Sequence, residues 1–199
     1  MSVKVYVEGG GKGADTRPKC RLGFTAYFRK IAPEGHSPRV VVCGSRDQAF
    51  KWFETAVLNS KEDELCALLV DSEGPVVTGS AVAHLAAHDG WNFPALSRHM
   101  AFLMVQAMEA WFLADREVLA AFYGDGFLAN SLPGSPREIE SVPKGDLEPA
   151  LKHASGPTKT KGPYQKVKHG FALLALINPS KVENASPHAA SFHRFLRRL

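Results

Sequence analysis

The sequence predicts an α/β fold, a mostly parallel central sheet flanked by helices, with a helical C-terminal extension. Three observations carry that expectation. Short β-branched runs alternate with helix-length segments over the first hundred residues, as in βαβ units. Residues 65–70, LCALLV, form a continuous apolar run flanked by charge, as suits a strand buried on both faces. The last fifty residues carry helical patterns, two of them opened by a capping residue followed by proline.

Residues 3–7 read as the first strand, ending in Glu8-Gly9-Gly10-Gly11. A helix follows from about Pro18, with Leu22, Phe24, Tyr27, Phe28 and Ile31 as its apolar positions, until Pro33-Glu34-Gly35 breaks it. Residues 39–43 read as the second strand. Gly44-Ser45 then opens a helix with Phe50, Phe53 and Val57 on one side. The third strand, residues 65–70, ends at Asp71-Ser72-Glu73-Gly74-Pro75. Residues 101–105 suit either a fourth strand or the start of a helix, because periodicity does not separate the two over so short a run. Residues 107–123 are helical in pattern and stop at Gly124, and 130–144 are rich in Pro, Ser and Gly. Helical stretches at 147–153, 164–177, 179–184 and 187–199 complete the chain. One domain is expected, with an α/β core over 1–129, an exposed loop over 130–146 and a basic helical extension over 147–199 packed on the core.

No run of eighteen apolar residues exists, and the N-terminal MSVKVYVEGG lacks the core of a signal peptide, so a cytoplasmic location is expected. Cys20, Cys43 and Cys66 are odd in number and widely spaced, which suits reduced structural thiols over a disulfide framework or a zinc site. The formal net charge of +4 is uneven. From Lys144 to the C-terminus ten Lys and Arg face three Asp and Glu, which leaves the remainder net acidic. A basic tail can hold a polyanion, although a solubilising face gives the same composition.

Ligand sites in open α/β sheets lie beyond the carboxyl ends of strands. Glu8 ends the first strand, Asp71 ends the third, and Glu73 lies two residues on. Carboxylates gathered there suit Mg²⁺, a hard cation that takes oxygen ligands, polarises a phosphoryl oxygen and lowers the pKa of water. A D-x-E after a strand is by itself commonly a solvated turn, and the argument gains from Glu8 and the glycines behind it, which let a phosphate or metal approach the backbone. The segment 9–16 is not a Walker A loop, because Lys12 is followed by Gly13 and the glycine spacing fails. His84 and His88 lack the intervening Glu of H-E-x-x-H, since residue 85 is Leu. Glu109 sits in apolar surroundings and needs a partner, either a metal, as a fourth catalytic acid, or a cation such as Arg17, Lys19 or Arg21. Asp115 is expected to begin an exposed helical segment. Lys159, Lys161, Lys166, Lys168 and His169 cluster around Tyr164, a pattern that suits a phosphate backbone with a base stacked nearby or a solvated helix face. Arg17 is added to this nucleic-acid-binding set.

Five separated motifs in order, Val5-Tyr6-Val7-Glu8-Gly9-Gly10-Gly11, Cys43-Gly44-Ser45-Arg46, Leu69-Val70-Asp71-Ser72-Glu73, the segment 104–115 and Ser186-Pro187-His188-Ala189, resemble the DUF4276 family of bacterial proteins. That family in turn resembles the Toprim superfamily of topoisomerases, primases and OLD-type nucleases. The resemblance implies that Glu8 is a general acid/base or metal ligand, and that Asp71 and Glu73 stand for a D-x-D metal pair with Glu in second place. It links Glu109 more loosely to a downstream acid. It implies a Toprim-like fold, Mg²⁺ or Mn²⁺, and hydrolysis of DNA or RNA, in a phage-defence setting. The alternative is a non-enzymatic subunit that binds an AAA/ABC-type ATPase, its acids forming a structural ion cluster.

Overall fold

The β-branched start of the chain forms β1 (Ser2–Val7) in a computed structural model that describes residues 2–9, 15–94 and 100–199. It is joined by β2 (Arg39–Val42), β3 (Glu64–Asp71) and β4 (Met100–Met104). All pair in parallel in the order β2-β1-β3-β4. The sequence left residues 101–105 open between strand and helix, and pairing to β3 makes them a strand, with Val70 opposite Leu103.

Period-2 alternation splits the core in two. Val5, Val7, Leu69, Phe102 and Met104 face one layer, and Tyr6, Leu68, Val70 and Leu103 face the other. The first layer is built from α1 (Thr16–Arg29), whose Phe24, Tyr27 and Phe28 are buried, and from C-terminal helices. On the second face lie α2 (Arg46–Leu58), capped by Ser45, and α3 (Ala81–Asp89), capped by Ser80.

The helical pattern over 107–123 is two helices, α4 (Met108–Leu113) and α5 (Arg116–Tyr123). Between them Asp115 leaves helical dihedrals at φ −126° and ψ 66°. It is buried, not exposed as expected, because its carboxylate accepts from Asn178 N at 2.9 Å and Lys181 Nζ at 2.7 Å. The segment 130–146, expected as an exposed loop, buries Leu132, Ile139 and Val142 around a short 3₁₀ turn at Ile139–Ser141.

The C-terminal third comprises α6 (Lys144–Ser155), a π-helical turn at Lys166–Gly170, α7 (Phe171–Leu176), α8 (Pro179–Ala185) and α9 (Pro187–Leu196). Asn178 and Ser186 cap α8 and α9 ahead of their prolines. Packing of α7 on α1 is close: a Cβ on Gly23 would stand 2.6 Å from the Phe171 carbonyl oxygen. Cys20, Cys43 and Cys66 are buried and form no disulfide. Among the described residues no helix is long and apolar enough to cross a membrane.

Candidate metal centre

Strand order fixes where the chemistry sits. The connection after β1 leads to one side of it and the next returns to the other, so the β1/β3 boundary is a topological switch point. Glu8 leaves β1 there and Asp71 ends β3 there. The Asp71 N–H donates to Glu8 Oε1 at 3.1 Å, which ties the two strand ends together. Glu73 follows in the left-handed region at φ 65°, a conformation that costs a non-glycine residue about 1 kcal/mol or more. Its N–H donates to the Gln106 carbonyl at 3.0 Å. Ligand oxygens of Glu8, Asp71 and Glu73 all lie within 4.8 Å of one another.

Asp71 is 4 % exposed, and its Oδ1 accepts from Met108 N, at the start of α4, at 2.8 Å. Burial foremost, then the charge of Glu8, pushes its carboxyl well above the usual range. Ionising the most buried member of the trio is therefore costly even with Lys166 nearby. That cost, with an all-oxygen donor set, fits a hard divalent cation bound by Glu8, Asp71 and Glu73. The cleft above them holds about 230 Å³ and is walled by Phe24, Met104, Met108 and Phe171.

A family model described as a domain of unknown function, DUF4276, matches residues 7–197. The chain belongs to the DUF4276 family. No curated protein and no solved structure matches it.

The other expected site residues of this DUF4276 chain divide. Glu109 stands outside the trio: it is 3 % exposed, accepts from the Tyr164 hydroxyl at 3.1 Å and pairs with Lys166 at 3.2 Å, not with Arg17, Lys19 or Arg21. Lys166, expected on a nucleic-acid-binding face, lines the acid cleft itself. Its side chain is 47 % exposed, and partial desolvation opposes its charge, but Glu109 first and then Asp71 and Glu8 outweigh this and raise its pKa. The aromatic–basic surface around it does not form, because Tyr164 is fully buried against Glu109. His169, expected to be exposed, is buried too, and its Nδ1 accepts from the Tyr123 hydroxyl at 3.1 Å. Burial, then Lys168 and Lys161, lowers its pKa. Lys159 and Lys168 are exposed, and Lys161 covers the Phe122 ring at 4.4 Å. Arg17 is exposed, with its guanidinium over Gly44. His84 is buried and bonded to the Ser72 carbonyl at 2.8 Å.

Two cations that sequence reasoning did not assign reach the trio. Lys144 pairs with Glu73 at the cleft wall. Arg46 lies 3.7 Å from Glu8, bonds the Asp71 carbonyl, and is held by both oxygens of Asp89, with Trp91 beneath its guanidinium at 5.0 Å. The motif Cys43-Gly44-Ser45-Arg46 already held one of them. Nothing local to Lys144 signals its role.

Proposed function

We propose that this protein is a metal-dependent nuclease that hydrolyses phosphodiester bonds in DNA or RNA, with Mg²⁺ or Mn²⁺ held by Glu8, Asp71 and Glu73. The observation that carries the reading is the convergence of three carboxylates at the switch point, with the buried member costly to ionise. The Toprim resemblance adds to it, since it implies that Glu8 is a general acid/base or metal ligand and that Asp71 and Glu73 stand for a D-x-D metal pair. Bound there, the cation would supply Lewis acidity to a phosphoryl oxygen and a lower pKa to water.

The chain's own groups do the rest. The Met108 N–H and the strand ends hold the carboxylates in place before any ligand arrives. Lys166, fixed by Glu109, presents positive charge to an anionic ester entering the cleft. Phe24, Met104, Met108 and Phe171 narrow the space open to water. The exposed Lys159, Lys168 and Arg17 are available to more distant phosphates. We assign it to the cytoplasm and to phage defence.

A second reading has its own observation. Lys144 on Glu73 and Arg46 near Glu8 partly neutralise the acids without any metal, as in an inert subunit that binds an AAA/ABC-type ATPase. Calorimetric titration with Mn²⁺ and incubation with single-stranded DNA, double-stranded DNA and tRNA separate the two. The nuclease reading expects Mn²⁺ uptake and cleavage by wild type, both lost in Asp71→Asn at unchanged circular dichroism. A wild type that binds no Mn²⁺ and cuts nothing sinks it.

A further inference from the structure

Three cations stand around the acids, and they are held differently. Lys166 is fixed by Glu109, outside the trio, and Arg46 by both oxygens of Asp89. The partner of Lys144 is Glu73, itself one of the prospective ligands. Both side chains are accessible, 37 % for Lys144 and 31 % for Glu73.

The backbone beneath Lys144 is pinned. Its N–H donates to Gln106 Oε1 at 3.1 Å, while the Gln106 carbonyl accepts from Glu73 N at 3.0 Å, so one residue spaces the two. Four residues earlier, the Glu140 carbonyl accepts from Gln106 Nε2 at 3.3 Å. The Glu140 carboxylate is clamped by Ser186 Oγ, His188 N at 3.1 Å and His188 Nδ1 at 3.0 Å, within the Ser186-Pro187-His188-Ala189 motif that the proposed chemistry does not otherwise use. With both ends fixed, only the flexible four-carbon stem of Lys144 need swing.

We propose that Lys144 is an exchangeable counter-ion: its ammonium neutralises Glu73 in the metal-free protein and turns to a phosphate oxygen of the substrate when a divalent cation takes that place. This rests on the metal reading above. Lys144 opposes metal entry and favours anion binding, so its removal moves the two affinities in opposite directions. A lysine that merely supported the fold would move them together.

The test titrates full-length wild type, Lys144→Gln and Lys144→Arg with Mn²⁺ by calorimetry. Anisotropy of a labelled phosphorothioate oligodeoxythymidylate follows in saturating Mn²⁺. Lys144→Gln is expected to bind Mn²⁺ about three- to tenfold more tightly, the scale of a half-exposed ion pair plus one removed charge, and to bind the oligonucleotide more weakly by a similar factor. Lys144→Arg should restore the oligonucleotide affinity. Mn²⁺ affinity unchanged or weakened in Lys144→Gln, with wild type binding normally, overturns the exchange alone. Oligonucleotide binding that is absent in wild type or indifferent to the substitution overturns its phosphate half. A wild type that takes up no Mn²⁺ removes the metal reading and the exchange together.

Discussion

Asp71 concentrates the electrostatic problem of the site in one side chain. Its pKa is raised in the folded protein, by burial first and by Glu8 next. The native state thus holds the proton more tightly than the unfolded chain, whose Asp titrates near about 3.9. Stability from the protonated form is full below that value and is lost as pH rises through the folded pKa. Asp71→Asn keeps an acceptor for Met108 N and offers Glu8 an N–H without a charge. In metal-free protein near neutral pH it is expected to gain about 1–2 kcal/mol, or roughly 2–8 °C in Tm, with a flatter dependence on rising pH and no further gain from Mn²⁺. A scanning-fluorimetry series that finds the variant less stable than wild type throughout would contradict this. The trio was legible in the sequence because a strand end is a local feature and sheet topology gathers strand ends. Its cations were not, since Lys144 and Arg46 find the acids only through tertiary contacts. Tyr164 and His169 misled for the same reason: basic neighbours suggest solvent, yet Glu109 and Tyr123 draw both rings inward.

At the level of the element, the junction of α4 and α5 is the informative case. Apolar periodicity runs through 107–123 without a stop signal, so sequence reads one helix. The break arises because Asp115 turns out of the helix to bond the start of α8 and Lys181. Replacing it by Ala removes the acceptor of the Asn178 N–H and one of the two carboxylates on Lys181, the other being Glu117, a loss expected at about 1–2 kcal/mol. Asp115→Asn, which retains an acceptor, should lose less. Urea denaturation checks both, and equal stabilities for Ala and wild type would show that the contact carries nothing. The strand at Met100–Met104 teaches the converse lesson. Five apolar residues do not declare their period, and pairing along β3 decides it.

For the whole molecule, the α/β class and the helical C-terminal third were both readable from periodicity and punctuation. Their interlocking was not. One hydrophobic cluster runs from Val3 to Leu196, so the C-terminal helices supply a layer of the core, with α9 reaching α1 through the Tyr27 hydroxyl donating to His193 Nε2 at 3.1 Å. Burial lowers the His193 pKa to about 4, against the pull of Glu183. The folded state keeps this imidazole neutral, and the unfolded chain protonates it near about 6.5. Stability is therefore expected to fall by about 3 kcal/mol as pH drops from 6.5 to 4. His193→Gln should remove much of that slope, and urea midpoints at pH 4.5, 5.5 and 6.5 that run parallel for both proteins would refute the assignment. The sheet order has one more consequence. Glu8 follows β1 and Asp71 ends β3, the inner strands, whose amides are expected to exchange with solvent only when the entire fold opens. Lys144, Arg46 and Lys166 hang from peripheral helices and turns. The anionic half of the cleft is thus as durable as the protein, while the cationic half can be retuned by mutation or by a docking protein without disturbing a single rung of the ladder.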